Sequence, residues 1–114
     1  MSDPAANIKA ARIRELNDQL RRKGVGGRVV ITGGIDALGA DGMCRILAAV
    51  AAFDNFTEDN DPWGEHDCAV LTVDGRRIIF KIDYFDLEQQ FHSPDASDPA
   101  VTQRVMTVML SEEY

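Results

Sequence analysis

The stretch that decides the fold is Cys68-Ala-Val-Leu-Thr-Val73, followed by Asp74-Gly75 and then by Arg76-Arg-Ile-Ile-Phe-Lys-Ile82. Both flanking runs are rich in β-branched residues, which is typical of strands. A two-residue Asp-Gly connection is a strong hairpin signal, because both central residues of the turn need a positive φ. The sequence therefore predicts an antiparallel hairpin that turns at Asp74-Gly75.

The two-residue turn also predicts the register of this hairpin. Counting outward from the turn brings Cys68 opposite Lys81 and His66 opposite Asp83. Side chains alternate between the two faces of a strand, so six apolar residues share one face of the hairpin. This predicted core face consists of Ala69, Leu71, Val73, Ile78, Phe80 and Ile82. The opposite face gathers the four reactive side chains at the open end of the hairpin.

Two helices and one further strand are predicted before the hairpin. The helices span 4–23 and about 41–53, because each carries an apolar stripe at helical spacing. The stripes are Ile13, Leu16 and Leu20 in the first helix and Met43, Ile46, Leu47 and Val50 in the second. The β-branched run 28–32 is bounded by glycines and is predicted to be a strand.

The C-terminal segment has two interpretations. Asp98-Pro99 resembles a helix cap followed by a first-turn proline, which predicts a third helix over 99–113. The β-branched run Val105–Val108 favours a strand instead, and the helix is the preferred interpretation. The overall prediction is an α+β protein with a single domain over 1–114. Its small antiparallel sheet combines the central Asp74-Gly75 hairpin with a strand near 28–32 and packs with about three helices.

Composition limits the classes of partner. The 114 residues carry a formal net charge of -7, so phosphate backbones repel the protein and we expect no direct nucleic-acid binding. A protein partner with a basic surface fits better.

Met1–Ala11 lacks the apolar region of a signal peptide, and the longest apolar stretch, Ile46–Phe53, is too short to span a bilayer. Cys44 and Cys68 do not make a disulfide framework. We therefore predict a cytoplasmic protein without membrane contact.

The segment 54–67 is predicted to be a long acidic loop with six acidic residues and no Lys or Arg. Loops of this length in compact domains are often functional. The predicted partner-binding residues all lie in it: Asp54, Glu58, Asp59, Asp61, Trp63 and Glu65. For Trp63, packing of the loop against the core is preferred over the alternative, an exposed anchor for a partner.

One catalytic hypothesis comes from the open end of the hairpin. Asp83 would orient His66 as a general base, and Lys81 would supply positive charge. The alternative, which is preferred, is a cross-strand ion pair that only stabilises the sheet. The sequence has no His-Glu-x-x-His, Cys-x-x-Cys or calcium-loop spacing, so we expect neither a metal nor a cofactor.

Several segments resemble a family of small bacterial proteins, the domain-of-unknown-function family 3768. The most specific segments are Gly64-Glu-His-Asp67 and Lys81-Ile-Asp-Tyr84, and the others are Ile13–Asp18, Gly27–Thr32, Phe53–Pro62 and Val105–Tyr114. The family often has Asp-Phe-Gly where this chain has Asp67-Cys68-Ala69, which argues against a role for the Cys68 thiol. The resemblance implies an accessory protein of the kind carried by mobile elements.

Two functions remain from the sequence. The preferred one is a non-catalytic protein–protein interaction module. Its specific form is an acidic inhibitor that mimics nucleic acid and blocks a host defence or nucleic-acid-handling complex. The alternative is a small metal-binding or hydrolytic enzyme that uses His66 and Asp83. The oligomeric state stays open, with a homodimer among the alternatives.

Overall fold

A computed structural model describes residues 3–114 and shows an α+β fold, as predicted. Its elements are α1 (Pro4–Lys23), β1 (Arg28–Ile31), α2 (Gly33–Asp36), α3 (Gly39–Ala52), β2 (Cys68–Val73), β3 (Arg76–Phe85), β4 (Gln103–Leu110) and a short 3₁₀ helix (Ser111–Glu113). The four strands form one sheet in the order β1-β4-β3-β2. The sheet is antiparallel as predicted except at β1, which runs parallel to β4 because a long connection containing the hairpin separates the two strands.

The first helix begins and ends where its sequence signals lie. The Asp3 carboxylate accepts a hydrogen bond from the Ala5 N–H (3.1 Å), and Pro4 occupies the first turn. Gly24 ends the helix in the left-handed region, at φ 69°. The predicted stripe is confirmed, because Ile13, Leu16 and Leu20 are all buried. Two polar residues, Asn17 and Arg21, are buried on the same face.

The hairpin is confirmed in both its turn and its register. Asp74 and Gly75 have φ values of 52° and 77°, and Cys68 lies opposite Lys81. Leu71 is half-buried against the core. The other residues of the predicted core face are buried, namely Ala69, Val73, Ile78, Phe80 and Ile82. They share one hydrophobic cluster with side chains of α1, α2 and α3. The described part of the chain has no helix long and apolar enough to cross a membrane.

The predicted helix over 99–113 is wrong. The Asp98 carboxylate does accept a hydrogen bond from the Ala100 N–H (2.9 Å), but it closes a turn and no helix follows. The chain enters β4, an inner strand between β1 and β3. Arg104, Met106 and Val108 are buried in alternation, the period of a strand. The β-branched run forms backbone hydrogen bonds with both neighbouring strands, β1 and β3. The described fold still has three α-helices, because α2 is a short helix that was not predicted.

Candidate functional site

The acidic loop is held against α1 by its last residues. Three consecutive loop residues bond to three positions on one side of the helix, spaced at i, i+3 and i+4. Arg14 donates to the Gly64 carbonyl (2.9 Å), Asn17 donates to the Glu65 carbonyl (3.0 Å), and the Asp18 carboxylate meets His66 Nδ1 (3.0 Å). The loop end is therefore fixed by side chains of another element, although it has no regular secondary structure of its own.

His66 is the central side chain of this anchor. Its ring stacks on Phe56 with the two centroids 3.8 Å apart, and Phe56 packs edge-on against Phe53 and Phe80. The second ring nitrogen, Nε2, lies 3.8 Å from the Asp61 carboxylate. Phe56 thus joins the loop to the core, which is the role predicted for Trp63.

The predicted grouping of His66 with Asp83 does not form. Strand pairing continues only to Cys68, and Asp67 adds one further backbone bond to Ile82 (2.7 Å). His66 then takes a φ of 56°, and its N–H bonds to the Asp61 carboxylate, so its side chain turns toward Asp18. Asp83 accepts instead from Lys81 Nζ (2.7 Å) on its own strand. The general-base hypothesis is therefore wrong, and so is the preferred alternative of a cross-strand ion pair, because Lys81 and Asp83 lie on the same strand.

A buried polar network lies directly behind the anchor. Asn17 is fully buried and accepts from Arg104 Nε (2.7 Å), while its amide nitrogen donates to the Tyr84 hydroxyl (2.8 Å). Tyr84 in turn donates to a Glu65 carboxylate oxygen (2.8 Å). Arg104 also donates to the Ala96 carbonyl, and its guanidinium lies 5.0 Å from the Tyr84 ring centroid. Sequence reasoning missed Asn17 and Arg104, although Asn17 interrupts the apolar stripe of α1.

Burial shifts the ionisation of the groups around the loop. It raises the pKa of Glu65, and the hydrogen bond from Tyr84 offsets part of this rise. Burial also raises the pKa of Asp67. Burial also acts to raise the pKa of Asp18, but hydrogen bonds from Arg21 and His66 outweigh it and lower the value. Burial raises the pKa of the Cys68 thiol, so the nucleophilic thiolate is disfavoured.

Replacing Glu65 by glutamine should stabilise the protein slightly at pH 7 and leave its stability unchanged in acid. The amide oxygen still accepts from Tyr84, but no charge is desolvated. Because the folded-state pKa of Glu65 is raised, the wild-type carboxylate reduces stability as the pH rises through that value. Below the ordinary carboxyl range both side chains are neutral. Thermal unfolding at pH 7 and at about pH 3 measures the difference.

The matched control for this prediction is Glu58→Gln, because Glu58 is exposed and lies in the same loop. Its unfolding temperature should follow that of the wild type at both pH values. A Glu65→Gln protein that is less stable than the wild type at pH 7 would contradict the assigned cost of burying the Glu65 charge.

The structure divides the predicted partner-binding residues into two groups. Asp54, Glu58 and Asp59 are exposed, and Trp63 is 78% exposed, so the preferred prediction that it packs on the core is wrong. Trp63 lies beside the first half of α1, in a groove of about 310 Å³ that includes Pro62, Ala6 and Ala10. The other group does not face solvent freely.

Asp61 and Glu65 form this second group. Asp61 is 7% exposed, and its Oδ1 accepts from the backbone N–H groups of Glu65 (3.1 Å) and His66 (3.2 Å). Glu65 is half-buried against Tyr84. Both side chains therefore hold the shape of the loop, and the predicted contact of Asp61 with a partner does not fit its burial. Among residues 3–114, no three His, Cys, Asp or Glu side chains are placed to hold a metal ion.

Fold and site together define a small α+β protein in which a mixed four-stranded sheet and a long helix hold an acidic loop. The chain belongs to the family described as Protein of unknown function (DUF3768), which matches residues 31–113 and confirms the predicted membership. The matched range contains the loop, Tyr84 and Arg104, whereas α1 lies before it. No curated protein and no solved structure matches the chain.

Proposed function

We propose that the protein is a non-catalytic protein–protein interaction module. Its binding surface, here called the acidic loop surface, consists of Asp54, Glu58, Asp59 and Trp63. The observation that carries the proposal is Trp63, a large aromatic side chain that is 78% exposed on a loop whose end is fixed to α1. Tryptophan is enriched at interaction hot spots, and a loop that is already ordered loses little entropy on binding.

The charge of this surface indicates the chemistry of the partner. Within the described chain, no Lys, Arg or His forms an ion pair with Asp54, Glu58 or Asp59. Their charges add to a molecule of net charge -7. A basic protein surface complements this field, and the association should be fast and should weaken as salt rises.

The specific form of the proposal is an acidic inhibitor that works in the cytoplasm as an accessory protein of a mobile element. Exposed carboxylates on a fixed loop can occupy the positions that phosphates take on a nucleic-acid-binding protein surface. The target would be a host defence complex or another nucleic-acid-handling complex. Small size and net charge of -7 support this form.

Trp63→Ala should weaken partner binding about 30-fold or more and leave folding unchanged. The exposed ring loses its contact area with the partner, whereas the anchor of the loop does not use it. The assay is capture of a stoichiometric basic protein from host extract at low salt, followed by titration of that purified protein. Tyr114→Ala is the control, because Tyr114 is an equally exposed aromatic outside the loop. A protein that binds nothing at low salt, or binds equally well after Trp63→Ala, contradicts the proposal.

The alternative is a small hydrolytic or metal-binding enzyme, and one contact favours it. Asp18 lies 3.0 Å from His66 Nδ1 and holds the imidazole as a general base is held in many hydrolases. Both ring nitrogens nevertheless face carboxylates of the same chain. In an enzyme, His66→Ala would abolish the biological activity without unfolding the protein, whereas Trp63→Ala would leave the activity unchanged. In an interaction module, Trp63→Ala would abolish the activity as well.

A further inference from the structure

The β1 edge has backbone groups that point out of the sheet. In the part of the chain that the structure describes, β1 pairs only with β4, and the Thr32 N–H donates to the Val108 carbonyl. Because backbone groups alternate in direction along a strand, the N–H and C=O groups of Val29 and Ile31 point away from β4. An edge of this kind accepts an additional strand from another chain.

An apolar groove runs beside this edge on the helical side of the sheet. Its volume is about 380 Å³, and its apolar lining comprises Leu20, Val29, Leu47, Ala48, Ala51 and Met106. The Val29 side chain is 41% exposed there. Side chains at the same level of neighbouring strands lie on the same face, so every second residue of an added strand would enter the groove next to Val29.

Two basic side chains lie next to the β1 edge. Arg22 lines the groove, and Arg28 begins β1 on the opposite face of the sheet. Both are exposed, and in the described chain neither forms an ion pair or a side-chain hydrogen bond. A second copy of β1 would bring no carboxylate to these cations, because its residues are Arg28, Val29, Val30 and Ile31.

We propose that the β1 edge binds an extended segment of another protein, in which acidic and apolar residues alternate, by addition of a β-strand. Backbone hydrogen bonds to Val29 and Ile31 hold the segment, its apolar side chains fill the groove, and its carboxylates meet Arg28 on the opposite face of the sheet. This surface uses none of the residues of the acidic loop surface. Trp63 lies beside Ala10 and the groove lies beside Arg22, which places Trp63 roughly 20 Å from the groove along α1.

A labelled eight-residue peptide of alternating Glu and Val tests the proposal by fluorescence anisotropy on the full chain. It should bind at least tenfold more tightly than a peptide of alternating Lys and Val. Ala48→Glu, which places a charge on the exposed wall of the groove, and Arg28→Glu should each weaken binding at least tenfold. Arg12→Glu makes the same charge change on the other half of α1 and should alter the affinity less than twofold.

Amide hydrogen exchange locates the peptide. Its addition should slow exchange at Val29 and Ile31, but not at Val70, whose N–H points outward from the opposite edge at β2. Equal affinity for the Lys-Val peptide, no binding at millimolar concentration, or protection at β2 alone would overturn the proposal. A dimer that Ala48→Glu dissociates, in a protein that binds no Glu-Val peptide, would also overturn it, because the edge would then belong to a second copy.

Discussion

Replacing Asn17 by alanine is expected to lower the free energy of unfolding by about 4 kcal/mol, a large part of the stability of a domain of this size. The amide connects three elements, because it accepts from Arg104 Nε and donates to the Tyr84 hydroxyl and the Glu65 carbonyl. Alanine leaves a buried guanidinium nitrogen without its acceptor and leaves a cavity where the amide stood. Urea denaturation monitored by circular dichroism measures the loss.

The matched control for Asn17→Ala is Asn7→Ala on the same helix. Asn7 is exposed and its side chain forms no hydrogen bond in the described structure, so the same chemical deletion should change stability by about 0.5 kcal/mol or less. Asn17→Ala should also release the loop, which limited proteolysis between residues 54 and 66 would detect. A loss below about 1 kcal/mol would mean that the network does not hold these elements together.

The second large effect is expected for Gly27→Ala, which should destabilise the protein by about 3 kcal/mol. A Cβ at this position would lie 2.5 Å from the Arg104 carbonyl oxygen and 3.0 Å from both the Arg104 Cβ and the Leu20 Cδ2. The nearest of these atoms belongs to the backbone of β4, which cannot move without losing its pairing with β3. Thermal and urea unfolding of the purified variant measure the effect.

Gly33→Ala separates this collision from a general effect of removing glycine. Apart from its chain neighbours and the backbone of its own helix, no atom of residues 3–114 lies within 4 Å of a Cβ at Gly33, and its φ is not in the left-handed region. Its stability should remain within about 0.5 kcal/mol of the wild type. If Gly27→Ala behaves like Gly33→Ala, the close approach of the segment before β1 to β4 is not a constraint on the fold.

The elements that the sequence predicts correctly are those with strong local signals. The hairpin is determined by the two residues of its turn and by alternation along its strands. The first helix has a cap, a stripe and a terminating glycine within one continuous stretch. In the C-terminal segment two local signals compete. The Asp98-Pro99 signal favours a helix, and only the strands on either side of β4, far away in sequence, decide the outcome.

The candidate site was less predictable, because its contacts join distant segments. Nothing near His66 in the sequence indicates that its partner is Asp18, and the positive φ of His66 ends the alternation that placed it opposite Asp83. Trp63 was misplaced because a tryptophan is usually buried to a large extent. The smaller ring of Phe56 fills the place near the core. A polar residue within an apolar stripe, as at Asn17, is the one sequence signal that points to this network.

The position of β4 has a consequence for how the protein reaches its native state. β4 is the last strand in chain order but lies inside the sheet, and within residues 3–114 it is the only strand that pairs with β1. The helices and the hairpin can form from local contacts, whereas β1 must wait for residues that follow much later. Closing such a long loop makes this step slow compared with the formation of local elements. During synthesis on the ribosome, β1 and the β2-β3 hairpin therefore stay apart until Gln103–Leu110 has emerged.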